Sequence, residues 1–304
     1  MRAARSVRLG FCASALVVLA CGEARIGRPP ITIAETDVPR WYEGLQFRIE
    51  DAGSGLDYVF WPHEGVAVRS FQLVTRANVR NMVKTEDAFS WTVERLDAPE
   101  VTIGVRMAPT SDGVDVTYEL RNGSDEPRVV MVGPCFQLPD AFLDGVDGAA
   151  RADHVFVPTA ERGWRRISET HRTPGVADPS ARLQPRPWTQ HYASVRALGP
   201  EAVPHGGNVG LDLFGVAEEH VTAGVIVAVR PDGRSAIAVA TDHEAGVTYA
   251  LLDCLHAVIQ AEVPAHGTTV VGYRVRFHEG SFSDLLARLR RSLPGLTLPP
   301  DTLG

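Results

Sequence analysis

Cys254 and His256 stand two residues apart in the run CLHAVIQAE, whose apolar residues suit a strand. Residues i and i+2 of a strand share a face, so this thiol and imidazole point the same way and Asp253 the other. A histidine placed like that can serve as acid, base or ligand, or can sit half-buried and bond a backbone carbonyl. His278-Glu279 closes a second long run, residues 268–277. At a strand end both can face a cleft, Glu279 as base or hydroxyl acceptor and His278 as acid; the competing reading is a polar pair beside the start of a helix. His256, His278 and Glu279 are therefore the candidate catalytic residues. Two other groups join an indole to polar side chains: Trp61, His63 and Glu64 in WPHE, and Trp188 and His191 in WTQH. An exposed Trp stacks on a sugar ring while imidazole and carboxylate bond its hydroxyls, which makes these the candidate ligand-binding residues. Core packing of Trp61 is the alternative. Asp242-His243-Glu244 reads as a solvated turn.

Other chemistry finds no support in the sequence. There is no HExxH, no phosphate-binding P-loop and no GxGxxG, no Gly-x-Ser-x-Gly elbow and no CxxC zinc pair. His243, His256 and Glu279 have no short spacing that would force them onto one ion, so neither metal nor cofactor is expected. With 37 acidic residues, the carboxylate pair of a glycosidase cannot be singled out.

These residues need strands to position them, and strands are what the pattern gives. Apolar residues recur with period two in 45–50, 91–96, 101–107 and, most clearly, 114–121, where Val114, Val116, Tyr118 and Leu120 share one face and Asp115, Thr117, Glu119 and Arg121 the other. Residues 56–61 are also β-rich. Asn122-Gly123 then signals a tight reversal before a strand from Arg128. Residues 224–229 and 235–240 flank Pro231-Asp232-Gly233 as a hairpin, and 247–252, 255–262 and 268–277 are further strands. One helix is expected, capped by Ser281 or Ser283, with Leu285, Leu286, Leu289 and Leu293 as its stripe and Pro294-Gly295 as its stop. The fold class is all-β: a large antiparallel β-sandwich with one C-terminal helix. Residues 41–294 form that domain, with an irregular insertion around 139–208, and 295–304 a Pro-rich tail. Two tandem small sandwiches broken within 140–210 are the alternative.

The N-terminus reads as an address. Arg2, Arg5 and Arg8 precede an apolar stretch from Leu9 to Leu19, the layout of an export signal over residues 1–20. The following Val18-Leu19-Ala20-Cys21 resembles the lipobox of bacterial lipoproteins. That resemblance implies acylation of Cys21, a flexible tether over 21–40 and a lipid-anchored place in the cell envelope, on the periplasmic or outer-membrane face. Cys12 and Cys21 belong to the signal, which leaves Cys135 and Cys254 in the mature domain. An exported domain with two cysteines invites one disulfide; two buried thiols or a metal pair remain open. The net charge of -7, with Arg2, Arg5 and Arg8 inside the signal, leaves an acidic domain that is a poor match to nucleic acid.

Three segments carry a second resemblance: 116–127 followed by Cys135; 224–240 around Arg-Pro-Asp-Gly-Arg; and Asp253-Cys-Leu-His-Ala257, then Pro264-Ala-His-Gly267 and Phe277-His-Glu-Gly280 before a Leu-rich helix. Their order resembles a group of secreted bacterial proteins with the large sandwich of the galactose-mutarotase-like proteins. In those relatives Asp-Pro follows the Cys-x-His; here Ala257-Val258 stands there. Mutarotase-like enzymes use two histidines and a carboxylate on a concave sheet, and no such trio aligns onto this chain. The resemblance implies a lipid-anchored sandwich that binds carbohydrate without turning it over. The alternatives are a mutarotase-like or lyase-like enzyme, and a structural or assembly lipoprotein whose partner is another protein.

Overall fold

The computed structural model describes residues 31–36, 44–94, 96–170, 172–173, 190–193, 215–250, 253–293 and 295–300. The signal, Cys21 and Trp188 lie outside them.

In chain order the strands are β1 (Ile31–Thr36), β2 (Gln46–Asp51), β3 (Leu56–Ala67), β4 (Phe71–Leu73), β5 (Val79–Lys84), β6 (Phe89–Val93), β7 (Val101–Thr110), β8 (Gly113–Asn122) and β9 (Arg128–Gln137). They continue with β10 (Val155–Thr159), β11 (Gly163–Arg166), β12 (Arg172–Thr173), β13 (Gln190–Ala193), β14 (Gly215–Ala217), β15 (Gly224–Val229), β16 (Ser235–Thr241), β17 (Glu244–Ala250), β18 (Cys254–Val263) and β19 (Thr268–Glu279), and one α-helix, α1 (Phe282–Ser292), follows. Ten strands form one sheet in the order β1-β2-β3-β9-β18-β17-β13-β14-β12, with β4 on β3. Nine form the other, β11-β10-β15-β16-β19-β8-β7-β6-β5. The pairs are antiparallel except β13 with β14. The all-β sandwich with one C-terminal helix is therefore the observed architecture.

The alternation read in the sequence is the reason. Val114, Val116, Tyr118 and Leu120 are fully buried in the layer between the sheets, facing Phe47, Tyr58, Phe60 and Phe136 of the larger sheet. Rings fill this layer: Tyr58 stacks on Phe136 at 5.3 Å between centroids, and Phe60 on Tyr273 at 5.7 Å. The two halves of the chain are not separate sandwiches. Strand β9 from the first half pairs with β18 from the second, and β8 pairs with β19, so each sheet needs both halves.

Two expectations about local structure change. Asn122-Gly123 does not close a hairpin: β8 lies in the nine-stranded sheet and β9 in the ten-stranded one. The segment is an arch between sheets. Asn122 builds it, its amide nitrogen donating to the Glu126 and Pro264 carbonyls at 2.7 and 3.1 Å and its side-chain oxygen accepting from the Ser124 N–H at 3.0 Å. The bond to Pro264 reaches the matching arch between β18 and β19. An Asn-Gly pair favours any sharp turn, and only the long-range partners decide which strands it joins. Secondly, Ile31–Thr36, inside the segment read as tether, pairs with β2 along its whole length. Its run ITIAET is rich in β-branched residues. Within the segment read as an irregular insertion, β10 and β11 extend the smaller sheet and β13 the larger.

The other local readings match. Gly233, at φ 69°, turns the chain between β15 and β16. Ser281 caps α1 by accepting from the Asp284 N–H. Leu285, Leu286 and Leu289 seat the helix on Ala236, Ala238 and Ala240, the outward face of β16, where small side chains let the helix approach. Among the described residues no helix is long and apolar enough to cross a membrane.

Asn122 is buried and also donates to the buried Val263 carbonyl at 3.3 Å, so replacing it leaves that carbonyl without this donor and unties the arch. The variant Asn122→Ala is expected to lose roughly 2–3 kcal/mol of unfolding free energy, read as a lower urea midpoint at unchanged slope.

Candidate functional site

The outward face of the ten-stranded sheet holds a row of chemically capable residues. Trp61 on β3 pairs with Cys135 on β9. The pairing of Leu255 with Phe136 puts His256 of β18 opposite Cys135. Thr248 of β17 pairs with His256, and His191 of β13 pairs with Thr248. Directly paired residues share a face, so the register draws one line Trp61–Cys135–His256–Thr248 across four strands, with β13 next in the sheet. Cys254 lies one step along β18 on the same face. Trp61, Cys135 and Cys254 form a buried cluster separate from the core between the sheets.

A bulge supplies the carboxylate. Between Trp61 and Gly65 strand β3 spends four residues where β9 spends two, Cys135 to Gly133. Two bonds from the nine-stranded sheet hold the extra residues. The Tyr118 hydroxyl donates to the Pro62 carbonyl, and the Trp91 indole N–H donates to His63 Nε2 at 2.7 Å. His63 thus turns into the core, and Glu64 turns outward beside Cys135 and His256. Glu64 Oε2 is 4.0 Å from His256 Nδ1, with side chains 18% and 15% exposed, enough for solvent to reach both. A Pro inside a β-rich run was the sequence signal for this bulge.

The Cys135 thiol has Cys254 and Glu64 as hydrogen-bonding neighbours. Burial pushes its pKa well above the usual thiol range, and both neighbours push it the same way. It is a protonated, weakly nucleophilic thiol. The disulfide expected between Cys135 and Cys254 is not formed: both are thiols in this structure. Both sulfurs and one nitrogen of His256 lie within 4.8 Å of one another. Beyond the row, Asp253, just before β18, lies in the left-handed region at φ 57°, a conformation Asp tolerates. It accepts from the Tyr249 hydroxyl and pairs with Arg151, which fixes the strand end that presents Cys254.

The candidates scatter relative to expectation. Glu64 and His256 meet. Trp61 is buried against the two cysteines, so it offers no open face for stacking. His63 is inside the core and cannot touch a ligand. His191 pairs in backbone register with Thr248, and Trp188 lies outside the described residues. His278 and Glu279 are on β19 of the other sheet, where His278 pairs with Ala236 on the side that α1 covers. His256 and His278 therefore face opposite sides of the sandwich, and the constellation His256, His278, Glu279 does not assemble. His278 lies beside Asp284, whose carboxyl is held below its usual range mainly by the Ser281 hydrogen bond, with His278 adding to it. His243 pairs with Asp242 at 2.8 Å in the β16–β17 turn, at one end of the outward face. That pairing raises the imidazole pKa against the effect of burial. A cavity of about 350 Å³ opens there, lined by Asp242, His243, Glu244, Gln260, Glu262 and Thr269. Between cavity and row the face carries strand glycines beside a buried apolar cluster of Ala67, Met131, Ala245 and Val258. Gly65 pairs with Gly133, and Gly246 with Val258. A Cβ at Gly133 would meet only the Gly65 carbonyl, at an ordinary 3.6 Å, so packing does not require glycine there.

No family model and no curated protein matches the chain. Solved structures do. A galactose mutarotase-like protein from Lactobacillus casei ATCC 334 is 11% identical over 82% of this chain and 100% of its own, with a TM-score of 0.41. The Slr1438 protein of Synechocystis sp. PCC 6803 is 9% identical over 66% of this chain, at a TM-score of 0.36. The alpha-N-acetylgalactosaminidase NagBb from Bifidobacterium bifidum is 10% identical over 86%, at 0.45. The chain spans 65% of the Synechocystis protein and 37% of the Bifidobacterium enzyme.

His63 gives the site a pH signature. Burial lowers its pKa from 6.5 to about 4, opposed in part by a hydrogen bond to its own backbone. As pH falls the unfolded chain takes the proton first, so stability present above about pH 6.5 is lost between there and pH 4. At about 1.4 kcal/mol per pK unit the loss is on the order of 3 kcal/mol. His63→Gln is expected to flatten the dependence of the urea midpoint on pH across that window.

Proposed function

We propose that this protein is a lipid-anchored protein of the cell envelope that binds a hydroxyl-rich ligand, a carbohydrate, on the outward face of the ten-stranded sheet without turning it over. The observation that carries this reading is the partly exposed Glu64–His256 pair, on the same sheet face as the strand glycines Gly65 and Gly133. Carboxylate and imidazole accept and donate to hydroxyls, and the carbonyls and acids lining the cavity add acceptors. Strand glycines let a ring lie close to the backbone. The raised pKa of Cys135 argues against a thiolate nucleophile, and the second histidine and Glu279 lie on the far side of the sandwich, so binding is favoured over turnover.

A glycan-array screen followed by calorimetry tests the site. Glu64→Gln and His256→Ala are each expected to weaken binding about tenfold, the worth of one charge-assisted hydrogen bond. Gly133→Val is expected to abolish binding while leaving the urea midpoint unchanged, because the added side chain stands on the outward face near the pair and not in the core. Wild-type protein that binds no glycan, or binding indifferent to all three variants, sinks the carbohydrate reading. The anchor is tested by intact mass of the protein from its native membrane: the expected mature chain begins at an acylated Cys21, and a chain still bearing Met1 and no fatty acid would contradict it.

A further inference from the structure

The residues that gather around Glu64 and His256 form a donor set of a kind that sugar binding does not need. Cys135, Cys254 and His256 come from two adjacent strands, and their three donor atoms already lie within 4.8 Å of one another. A fourth donor, Glu64, stands 4.0 Å from His256 and beside the Cys135 sulfur. Two sulfurs, one imidazole and one carboxylate suit a borderline-soft, four-coordinate ion; hard cations such as calcium and magnesium take oxygen shells instead. Metal bonds of about 2.0–2.3 Å place tetrahedral ligands roughly 3.3–3.8 Å apart. Among Cys135, Cys254 and His256 the separations exceed that by roughly 1–1.5 Å at most, a gap that side-chain rotations close without moving a strand; Glu64, which stands outside that group, turns further to reach the ion. The backbone is already fixed: β9 and β18 hold the cysteines and histidine in register, Asp253 anchors the end of β18, and the Pro62–Glu64 bulge is pinned from the opposite sheet.

We infer that Cys135, Cys254, His256 and Glu64 bind one zinc ion, with both thiols deprotonated on binding and the two protons released to solvent. The ion also explains why two thiols are kept side by side: it crosslinks β3, β9 and β18 without oxidation. The inference does not depend on the carbohydrate reading, since metal uptake is measured with no sugar present.

The test uses the full-length mature protein, reduced and freed of metal by chelator, titrated with Zn2+ and then with Co2+ as a spectroscopic probe. The expected result is one equivalent of Zn2+ per chain, and a Co2+ complex with intense thiolate-to-metal charge transfer and tetrahedral d–d bands. Cys254→Ser is expected to lower Zn2+ affinity roughly 100-fold or more, and Glu64→Gln, which leaves both cysteines in place, about 10- to 100-fold. Circular dichroism checks that each variant is folded; Glu64→Gln decides the matter if the cysteine variant is not. Reduced wild-type protein that takes up no Zn2+ overturns the inference. So does a Co2+ complex without thiolate charge transfer, or a folded Glu64→Gln variant with unchanged affinity. Gly133→Val keeps its metal under this inference while losing its glycan, so the two readings fail separately.

Discussion

The pairing of β9 with β18 is the constraint on which the rest of the molecule depends. It joins strands more than a hundred residues apart into adjacent positions of one sheet, while β8 and β19 make the equivalent joint in the other. Because β8 runs into β9 and β18 into β19 through arches that Asn122 ties together, the two joints enforce one another. A slip of one residue in either register would turn Tyr118 and Val116, or Leu255 and Ala257, from the core to the outside. The same register sets Cys135 opposite His256. Core and site are thus two readings of a single alignment, one on each face of the sheet.

The bulge at Pro62–Glu64 solves a local problem in that alignment. A regular β3 would place its side chains in strict alternation, which from outward Trp61 would turn His63 outward and bury the Glu64 carboxylate in the core. Four residues set against two let His63 enter the core with an indole donor waiting, and let Glu64 leave it toward the cysteines. The price of the irregularity is met by satisfied hydrogen bonds: the freed Pro62 carbonyl receives the Tyr118 hydroxyl, and the buried imidazole, kept neutral, accepts from Trp91. Neutral His63 is compatible with the dry layer between the sheets in a way the imidazolium is not.

The two outward faces of the sandwich then differ in kind. That of the nine-stranded sheet is alanine-rich along β16 and sealed by α1, with Phe156 and Trp164 filling its rim. That of the ten-stranded sheet carries sulfur, imidazole, carboxylate and glycine. Their separation decides the functional reading, since His278 and Glu279 are spent on the neighbourhood of the helix cap, and His256 is left with Glu64 and the two thiols as its partners.

The sequence by itself determined most of the longer strands and their faces, the helix and its cap, because these follow from periods of two and 3.6 and from residues acting on near neighbours. It also made Glu64, His256, Cys135 and Cys254 visible as residue types able to do chemistry. Only the tertiary structure decided which of them meet. Nothing local distinguishes His256, which reaches Glu64, from His278, which faces the other side of the sandwich, because both stand on alternating strands of similar composition. Nor could Asn122-Gly123 reveal that it joins two sheets, or His63 that it lies inward, since each depends on partners distant in sequence: Pro264 in one case, Trp91 in the other. Alternation fixes which side of a strand a residue takes; long-range pairing fixes what lies on that side.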